Sequence, residues 1–184
     1  RTGVRLRAEQ GSGREIMLVV DVSNSMYAED VEPSRMERTR YAITRLIEGM
    51  QEDRVGIDAF ADRAEVVLPI TGDHKMARAK AAGLSPALIA HQGTDIAEAL
   101  EVAMLSFSSA TESSRSRVII LITDGENHDE GAVDVAERAK AEGVMICTIG
   151  IGTPEGTVLE INGEAVEEDG KMVVTKLNET LLQE

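Results

Sequence analysis

The stretch IMLVVDVSNSM, residues 16–26, begins as an apolar run and ends in alternating oxygen donors. Residues 16–22 are apolar apart from Asp21, which is the pattern of a strand covered on both faces. Asp21, Ser23 and Ser25 then occupy every second position. Such residues after a strand commonly cap the next helix or form a turn, but they are also hard ligands for a metal ion. The rest of the chain must distinguish a cap, a nucleophile and part of a metal site.

Strand-like and helix-like segments alternate along the chain. Further strands are predicted over 54–61, 64–70, 117–124 and 144–152, and helices from 33–34 to about 50, over 74–83, from 93–94 onward and over 131–142. The tight Asp62-Arg63 link predicts that 54–61 and 64–70 pair as a hairpin. The apolar runs 117–124 and 144–152 are expected to be fully buried. Together these segments predict a three-layer α/β/α fold with a doubly wound, mostly parallel sheet and one antiparallel edge strand.

The two ends of the chain differ from this core. Residues 1–15 are basic and are expected to be a lead-in. Residues 157–176 carry two hairpin signals, Asn162-Gly163 and Asp169-Gly170, and are expected to form a small C-terminal β-hairpin extension on the sheet edge. Without a linker or repeat, 1–184 is expected to be a single domain. A start at Arg1 and an end in LNETLLQE suggest a fragment of a longer protein.

Composition narrows the classes of partner. The formal net charge of −14 argues against nucleic acid, because phosphate binding requires a basic face. The chain has no run of eighteen apolar residues, so the fragment is expected to be soluble, with any membrane attachment outside it. Its single cysteine, Cys147, excludes an internal disulfide and is expected to be a small buried hydrophobe.

Polar residues at the predicted strand ends form a candidate metal site. The strand over 117–124 ends in Thr123-Asp124-Gly125, and Thr94 lies at the predicted start of a helix. Ligands of doubly wound sheets bind at the carboxyl ends of the strands, so these segments are expected to converge. The predicted ligands are five oxygen donors: Asp21, Ser23, Ser25, Thr94 and Asp124. Carboxylates, hydroxyls and water suit Mg²⁺, with Mn²⁺ or Ca²⁺ as alternatives.

Each of these residues also has an ordinary explanation. Thr94 alone is typical of a helix cap, and Asp124-Gly125 alone is typical of a turn. A Mg²⁺-dependent hydrolase or phosphatase is a second hypothesis, although a haloacid-dehalogenase-type enzyme would need Asp at position 23 and no P-loop is present. A scaffold that works without metal is a third. His91 and His128 are expected at the rim of the site, and no pair among the three histidines of the chain has zinc-ligand spacing.

The pattern Asp21-x-Ser23-x-Ser25, followed by Thr94 in QGTD and by Thr123-Asp124-Gly125, resembles the metal-ion-dependent adhesion site of von Willebrand factor A (VWA) domains. The resemblance covers Glu15 to Gly156 and implies a Rossmann-like VWA fold. It also implies that the serines and the threonine bind magnesium and that the aspartates often act through water. A protein partner would offer an Asp or Glu to the ion, so the chain is expected to be an interaction module and not an enzyme.

A narrower likeness is to bacterial aerotolerance proteins of the BatA/BatB type, and most of all to the BatB-like branch. The stretches that carry it are DVSNSMYAEDVEPSR, RVGIDAFAD, LPIT, HQGTDI, VIILITDGENHDEGA and IGIGTPEG. This likeness implies hydrophobic anchors on both sides of the fragment, in the cell inner membrane, with the domain in the periplasm. It implies partners among other VWA proteins, tetratricopeptide-repeat proteins and a MoxR-type ATPase.

Overall fold

The computed structural model describes residues 13–107, 115–125 and 131–153, together with the backbone pairing of short strands within 157–175. The five longer strands are β1 (Glu15–Asp21), β2 (Arg54–Phe60), β3 (Ala64–Thr71), β4 (Arg117–Thr123) and β5 (Val144–Gly150). The α-helices of the described residues are α1 (Arg35–Glu48), α2 (His74–Ala82), α3 (Ile96–Ser106) and α4 (Gly131–Ala141). Short 3-10 turns cover Asn24–Tyr27 and Pro86–Leu88.

The five strands form one sheet in the order β3-β2-β1-β4-β5. β1 pairs in parallel with β2 and β4, and β5 runs parallel to β4. Only the β2–β3 pair among these strands is antiparallel, as the short Asp62-Arg63 link predicts. The predicted mostly parallel sheet with one antiparallel edge strand is therefore confirmed.

Helices cover both faces of the sheet because successive side chains of a central strand point to opposite faces. On β1, Leu18 and its alternate neighbours pack in a cluster with α1 and α2. Met17 and Val19 pack in a second cluster with α3 and α4. β1 and β4 thus lie in the middle of three layers, and their carboxyl ends emerge side by side at one edge of the core.

Three sequence predictions are corrected by the structure. Cys147 is predicted to be buried but is only partly buried in the described structure. The fifth strand was expected to be fully buried, but β5 is half-exposed in the described structure, with Met145 56% exposed, because it lies at the end of the strand order. The third helix begins at Ile96 rather than at 93–94, because the side chain of Asp95 caps it by accepting a hydrogen bond from the amide of Glu98 at 2.8 Å.

The described residues of the C-terminal region form short antiparallel strand pairs. Glu160–Ile161 pairs with Glu164–Ala165, and Glu167–Glu168 pairs with Lys171–Met172, around the two predicted hairpin turns. The outer pair joins Thr157–Val158 to Val174–Thr175. The turn residues themselves and residues 1–12 of the lead-in lie outside the described residues, and the extent of the domain over 1–184 stays a prediction. No helix in the described part of the chain combines the length and the apolar character that a membrane span requires.

Candidate metal centre

Asp21 is the last residue of β1 and anchors the turn that follows it. Its side chain is fully buried, and its Oδ1 accepts hydrogen bonds from the amide of Ser23 at 2.8 Å and from the Ser23 hydroxyl at 2.6 Å. The chain then enters the 3-10 turn Asn24–Tyr27, which places the hydroxyl of Ser25 2.9 Å from that of Ser23. The alternating pattern of the sequence therefore becomes a row of three adjacent side-chain oxygens.

The end of β4 completes this row from the neighbouring strand. The Ser25 hydroxyl donates a short hydrogen bond to Oδ2 of Asp124, which is fully buried. The hydroxyl of Thr123 donates to the other oxygen of Asp21, Oδ2, at 2.6 Å and accepts from the amide of Gly125 at 3.0 Å. Because β1 and β4 are parallel neighbours, residues about 100 positions apart in the chain meet at their carboxyl ends.

Thr94 lies in the loop before α3 and is half-buried. Two hydrogen bonds tie this loop to the strand ends: the amide of Asn24 donates to Gln92 Oε1 at 2.9 Å, and the amide of Asp95 donates to the Ala61 carbonyl at 2.7 Å. Within the part of the chain that is described, the Thr94 hydroxyl does not join the hydrogen-bonded row. The structure thus brings four of the five predicted ligands together and places the loop of the fifth beside them.

The centre places two buried carboxyl groups close together, which makes it unfavourable for both to be negatively charged. Burial raises the pKa of Asp21 to about 7, and the nearby negative charge of Asp124 adds to the increase, although the Ser23 and Thr123 hydrogen bonds oppose it. The described residues contain no group of three or more His, Cys, Asp or Glu that could hold a metal, so an ion at this centre would need hydroxyl or water oxygens besides the two carboxylates. Two carboxylates and neighbouring hydroxyls, all hard oxygens, fit a divalent cation of the magnesium type.

Sequence reasoning missed two charged residues of this region, Arg35 and Asp30. Nη1 of Arg35 donates to Oδ2 of Asp124 at 3.1 Å, and its Nε and Nη2 donate to the Asp30 carboxylate at 2.9 and 2.8 Å. One available signal was that Arg35 is the first residue of a helix, where the helix dipole disfavours a cation. Of the two predicted rim histidines, His91 is exposed in the Thr94 loop and His128 lies outside the described residues.

Comparison with known proteins identifies the family. The model of the von Willebrand factor type A domain matches residues 16–126, which include β1 except for Glu15, all of β4 and all five predicted ligands. The chain belongs to the von Willebrand factor type A family.

Two solved structures resemble this VWA domain over most of its length. BatB from Bacteroides thetaiotaomicron is 41% identical, with a TM-score of 0.89 over 93% of this chain and 84% of that one. An aerotolerance-related membrane protein from Bacteroides fragilis is 40% identical, with a TM-score of 0.88 over 93% and 85% of the two chains. The predicted resemblance to the BatB-like VWA proteins is therefore confirmed.

Curated relatives are longer than this VWA domain. A UPF0353 protein of Mycolicibacterium paratuberculosis is 34% identical over 153 residues, which are 78% of this chain and 46% of that protein. The chain thus spans about half the length of the curated relatives it matches. A mussel byssus matrix protein, 21% identical with a TM-score of 0.62 over 76% of this chain and 38% of that one, shares the fold and was solved with zinc in its metal-ion-dependent adhesion site motif.

Proposed function

We propose that this VWA domain is a metal-dependent protein–protein interaction module. The observation that carries the proposal is a row of closely spaced side-chain oxygens, from Asp21 through Ser23 and Ser25 to Asp124, that links two fully buried carboxylates at adjacent strand ends. The proposed ligands are those of the sequence prediction: Asp21, Ser23, Ser25, Thr94 and Asp124. Mg²⁺ is the proposed ion, with Mn²⁺ or Ca²⁺ as alternatives, and the same fold holds zinc at this motif in the mussel protein.

The residues of the centre are suited to binding and orienting an ion. The Ser23 and Thr123 hydrogen bonds hold both oxygens of Asp21 in place, and Ser25 and Arg35 hold Oδ2 of Asp124. Fixed oxygens lose little freedom when they bind an ion. A bound divalent cation would supply positive charge at an otherwise negative centre, where an incoming Asp or Glu side chain of a partner could bind.

The setting of this interaction is proposed from the relatives. The Bacteroides fragilis structure is described as an aerotolerance-related membrane protein. By analogy, we place the domain on the periplasmic side of the inner membrane, held by segments outside this chain, in a complex that supports tolerance of oxygen stress. Candidate partners are other VWA proteins, tetratricopeptide-repeat proteins and a MoxR-type ATPase.

A metal-independent scaffold is the competing hypothesis that a specific observation favours. The serine hydroxyls and Arg35 already satisfy much of the hydrogen bonding of Asp21 and Asp124. If these hydrogen bonds only stabilised the fold and no ion bound, divalent ions would not change the stability of the domain. No observation favours the hydrolase hypothesis in the same way.

Thermal unfolding with and without ions separates these hypotheses. We expect Mg²⁺ at about 100 times its dissociation constant to stabilise the folded domain by about 2.7 kcal/mol relative to EDTA, which corresponds to roughly 5–10 °C in Tm. Asp21→Asn, which keeps the shape of the side chain, should abolish the shift. Asp134→Asn removes one exposed carboxylate from α4 and should retain it.

An equal shift in Asp21→Asn would assign the effect to general ion binding by an acidic surface. No shift with Mg²⁺, Mn²⁺ or Ca²⁺ would favour the scaffold. The partner's chemistry is then tested on an array of peptides that differ in one Asp or Glu. Binding should require both the acidic residue and Mg²⁺, and binding that persists in EDTA would contradict the proposed mechanism.

A further inference from the structure

Arg35 is a fully buried arginine that contacts two carboxylates on different segments. Its side chain is 0% exposed, and those of Asp30 and Asp124 are 5% and 0% exposed. Nε and Nη2 of Arg35 form a bidentate ion pair with the Asp30 carboxylate. Nη1 donates a hydrogen bond to Oδ2 of Asp124, which also accepts a hydrogen bond from the Ser25 hydroxyl. The guanidinium therefore reaches the proposed metal centre directly.

The position of Arg35 is costly for the helix that carries it. It is the first residue of α1, where the helix dipole and the free amides favour a negative charge. Burial of a guanidinium adds a desolvation penalty that only close partners offset. Helix stability therefore does not explain an arginine here, and its two carboxylate partners do.

The contacts of Asp30 extend this pair to the segment that follows β5. Asp30 Oδ2 accepts hydrogen bonds from the amide of Thr153 at 2.9 Å and from its hydroxyl at 3.1 Å. A Cβ atom at Gly152 would lie 2.9 Å from the carbon of the Arg35 guanidinium, so the backbone passes directly against it. The guanidinium is thus held in place on several sides and has little freedom to leave Asp124.

We propose that Arg35 is a positioning residue and a built-in counter-cation of the metal centre, with Asp30 setting how much of its charge acts on Asp124. The inference rests on the proposed function, because it concerns the affinity of the same centre for a divalent ion. Arg35 keeps Asp124 oriented without metal, and its positive charge opposes an incoming cation. Asp30 neutralises part of that charge and thereby permits the ion to bind.

Substitutions of Arg35 and of Asp30 are expected to change the affinity for a divalent ion in opposite directions. Arg35→Gln removes a positive charge beside the centre, so Mn²⁺ should bind about tenfold more tightly. Asp30→Asn leaves Arg35 without its second carboxylate, so Mn²⁺ should bind about tenfold more weakly. The double variant Asp30→Asn/Arg35→Gln restores the parent's net charge, and its dissociation constant should return to within about threefold of the parent's.

The experiment measures Mn²⁺ binding by calorimetry and by electron paramagnetic resonance of the free ion, at one pH and one salt concentration. Circular dichroism and thermal unfolding in EDTA establish that each variant is folded. Arg45→Gln is the matched control, because Arg45 is an exposed arginine of the same helix about 15 Å along its axis. Its dissociation constant should equal the parent's.

The outcomes separate this inference from the proposed function. If the parent does not bind Mn²⁺, the proposed function fails and the inference fails with it. If the parent binds but both single variants bind more weakly and the double variant is weaker still, Arg35 acts only as a structural tie and the inference is overturned. Should Arg35→Gln not fold, weaker binding in Asp30→Asn with recovery in the double variant supports the charge balance, and no recovery contradicts it.

Discussion

Asp58 is an ionisable residue at a position that would suit an apolar one. It lies in β2, two residues before Phe60, and therefore on the face of the sheet that packs against α3. The side chain is fully buried, and neither carboxylate oxygen has a hydrogen-bond partner among the described residues. Burial raises the pKa of Asp58 to about 8, and the charge of Glu98 on α3 adds to the increase.

The stability of the domain should consequently decrease as the pH rises. Folded Asp58 holds its proton up to about pH 8, whereas the unfolded side chain loses it near its ordinary value of 3.8. Between these values the folded state binds more protons, so the free energy of unfolding falls by up to about 1.4 kcal/mol per pH unit and levels off above pH 8. Asp58→Asn, which cannot ionise, should remove this contribution.

The measurement is urea unfolding in EDTA from pH 5 to pH 9 for the parent and for Asp58→Asn. Because both proteins share every other titrating group, the difference between their pH profiles isolates Asp58. We expect the variant to gain stability relative to the parent from pH 5 up to about pH 8, with little further gain at pH 9. Parallel profiles would show that Asp58 is ionised in the folded state.

From the sequence, Thr94 could be either the cap of α3 or a metal ligand, and the structure assigns the cap to its neighbour. Asp95 caps the helix, while Thr94, one position earlier, lies in the loop that Gln92 ties to the end of β1. Capping of the helix is thus the task of Asp95, which satisfies a free amide, and metal binding is the task proposed for the adjacent Thr94.

Alanine substitutions should separate these tasks. In EDTA, Asp95→Ala should lower the free energy of unfolding by about 1 kcal/mol through loss of the cap. Thr94→Ala should change it by less than about 0.5 kcal/mol, because the hydroxyl makes no hydrogen bond with the described residues. Thr94→Ala should instead weaken Mn²⁺ binding, as measured by calorimetry. If Thr94→Ala costs as much stability as Asp95→Ala and leaves Mn²⁺ affinity unchanged, Thr94 is not a ligand.

The order of the strands decides how deeply each apolar strand is buried, and therefore how much it contributes to the stability of the fold. β1 and β5 both read as continuous apolar runs, yet β1 lies third in the sheet and β5 lies last. Leu18 in β1 is fully buried, while Met145 in β5 is 56% exposed. Equal hydrophobicity in the sequence therefore corresponds to unequal burial in the fold.

Truncation at these two positions should show the difference. Leu18→Ala should cost about 2–5 kcal/mol, because it removes buried methyl groups and leaves a cavity between the sheet and its helices. Met145→Ala should cost roughly 0.5 kcal/mol or less. Urea unfolding in EDTA gives both values. A loss at Met145 as large as that at Leu18 would mean that β5 is covered as completely as β1.

The sequence by itself determined the local features of this protein. Apolar runs predict strands, the 3.6-residue spacing from Met36 to Met50 predicts a helix, and the Asp62-Arg63 link predicts an antiparallel pair, because each depends on residues near one another in the chain. The alternation Asp21-x-Ser23-x-Ser25 likewise places neighbouring oxygens in one turn. The individual strands and helices, and the Asp21–Ser25 part of the candidate site, follow from such short-range patterns.

Only the tertiary structure decided what depends on strand order and on long-range packing. The contact between Ser25 and Asp124 spans 99 residues, and the contact between Arg35 and Asp124 spans 89. The local sequence around Arg35 does not predict that its guanidinium contacts Asp124 at the end of β4. That contact depends on β1 and β4 being neighbours in the sheet. The exposure of β5 and the absence of hydrogen-bond partners for buried Asp58 within the described part of the chain have the same cause. The burial and the electrostatic environment of a residue depend on how the whole sheet packs and not on the sequence pattern of one segment.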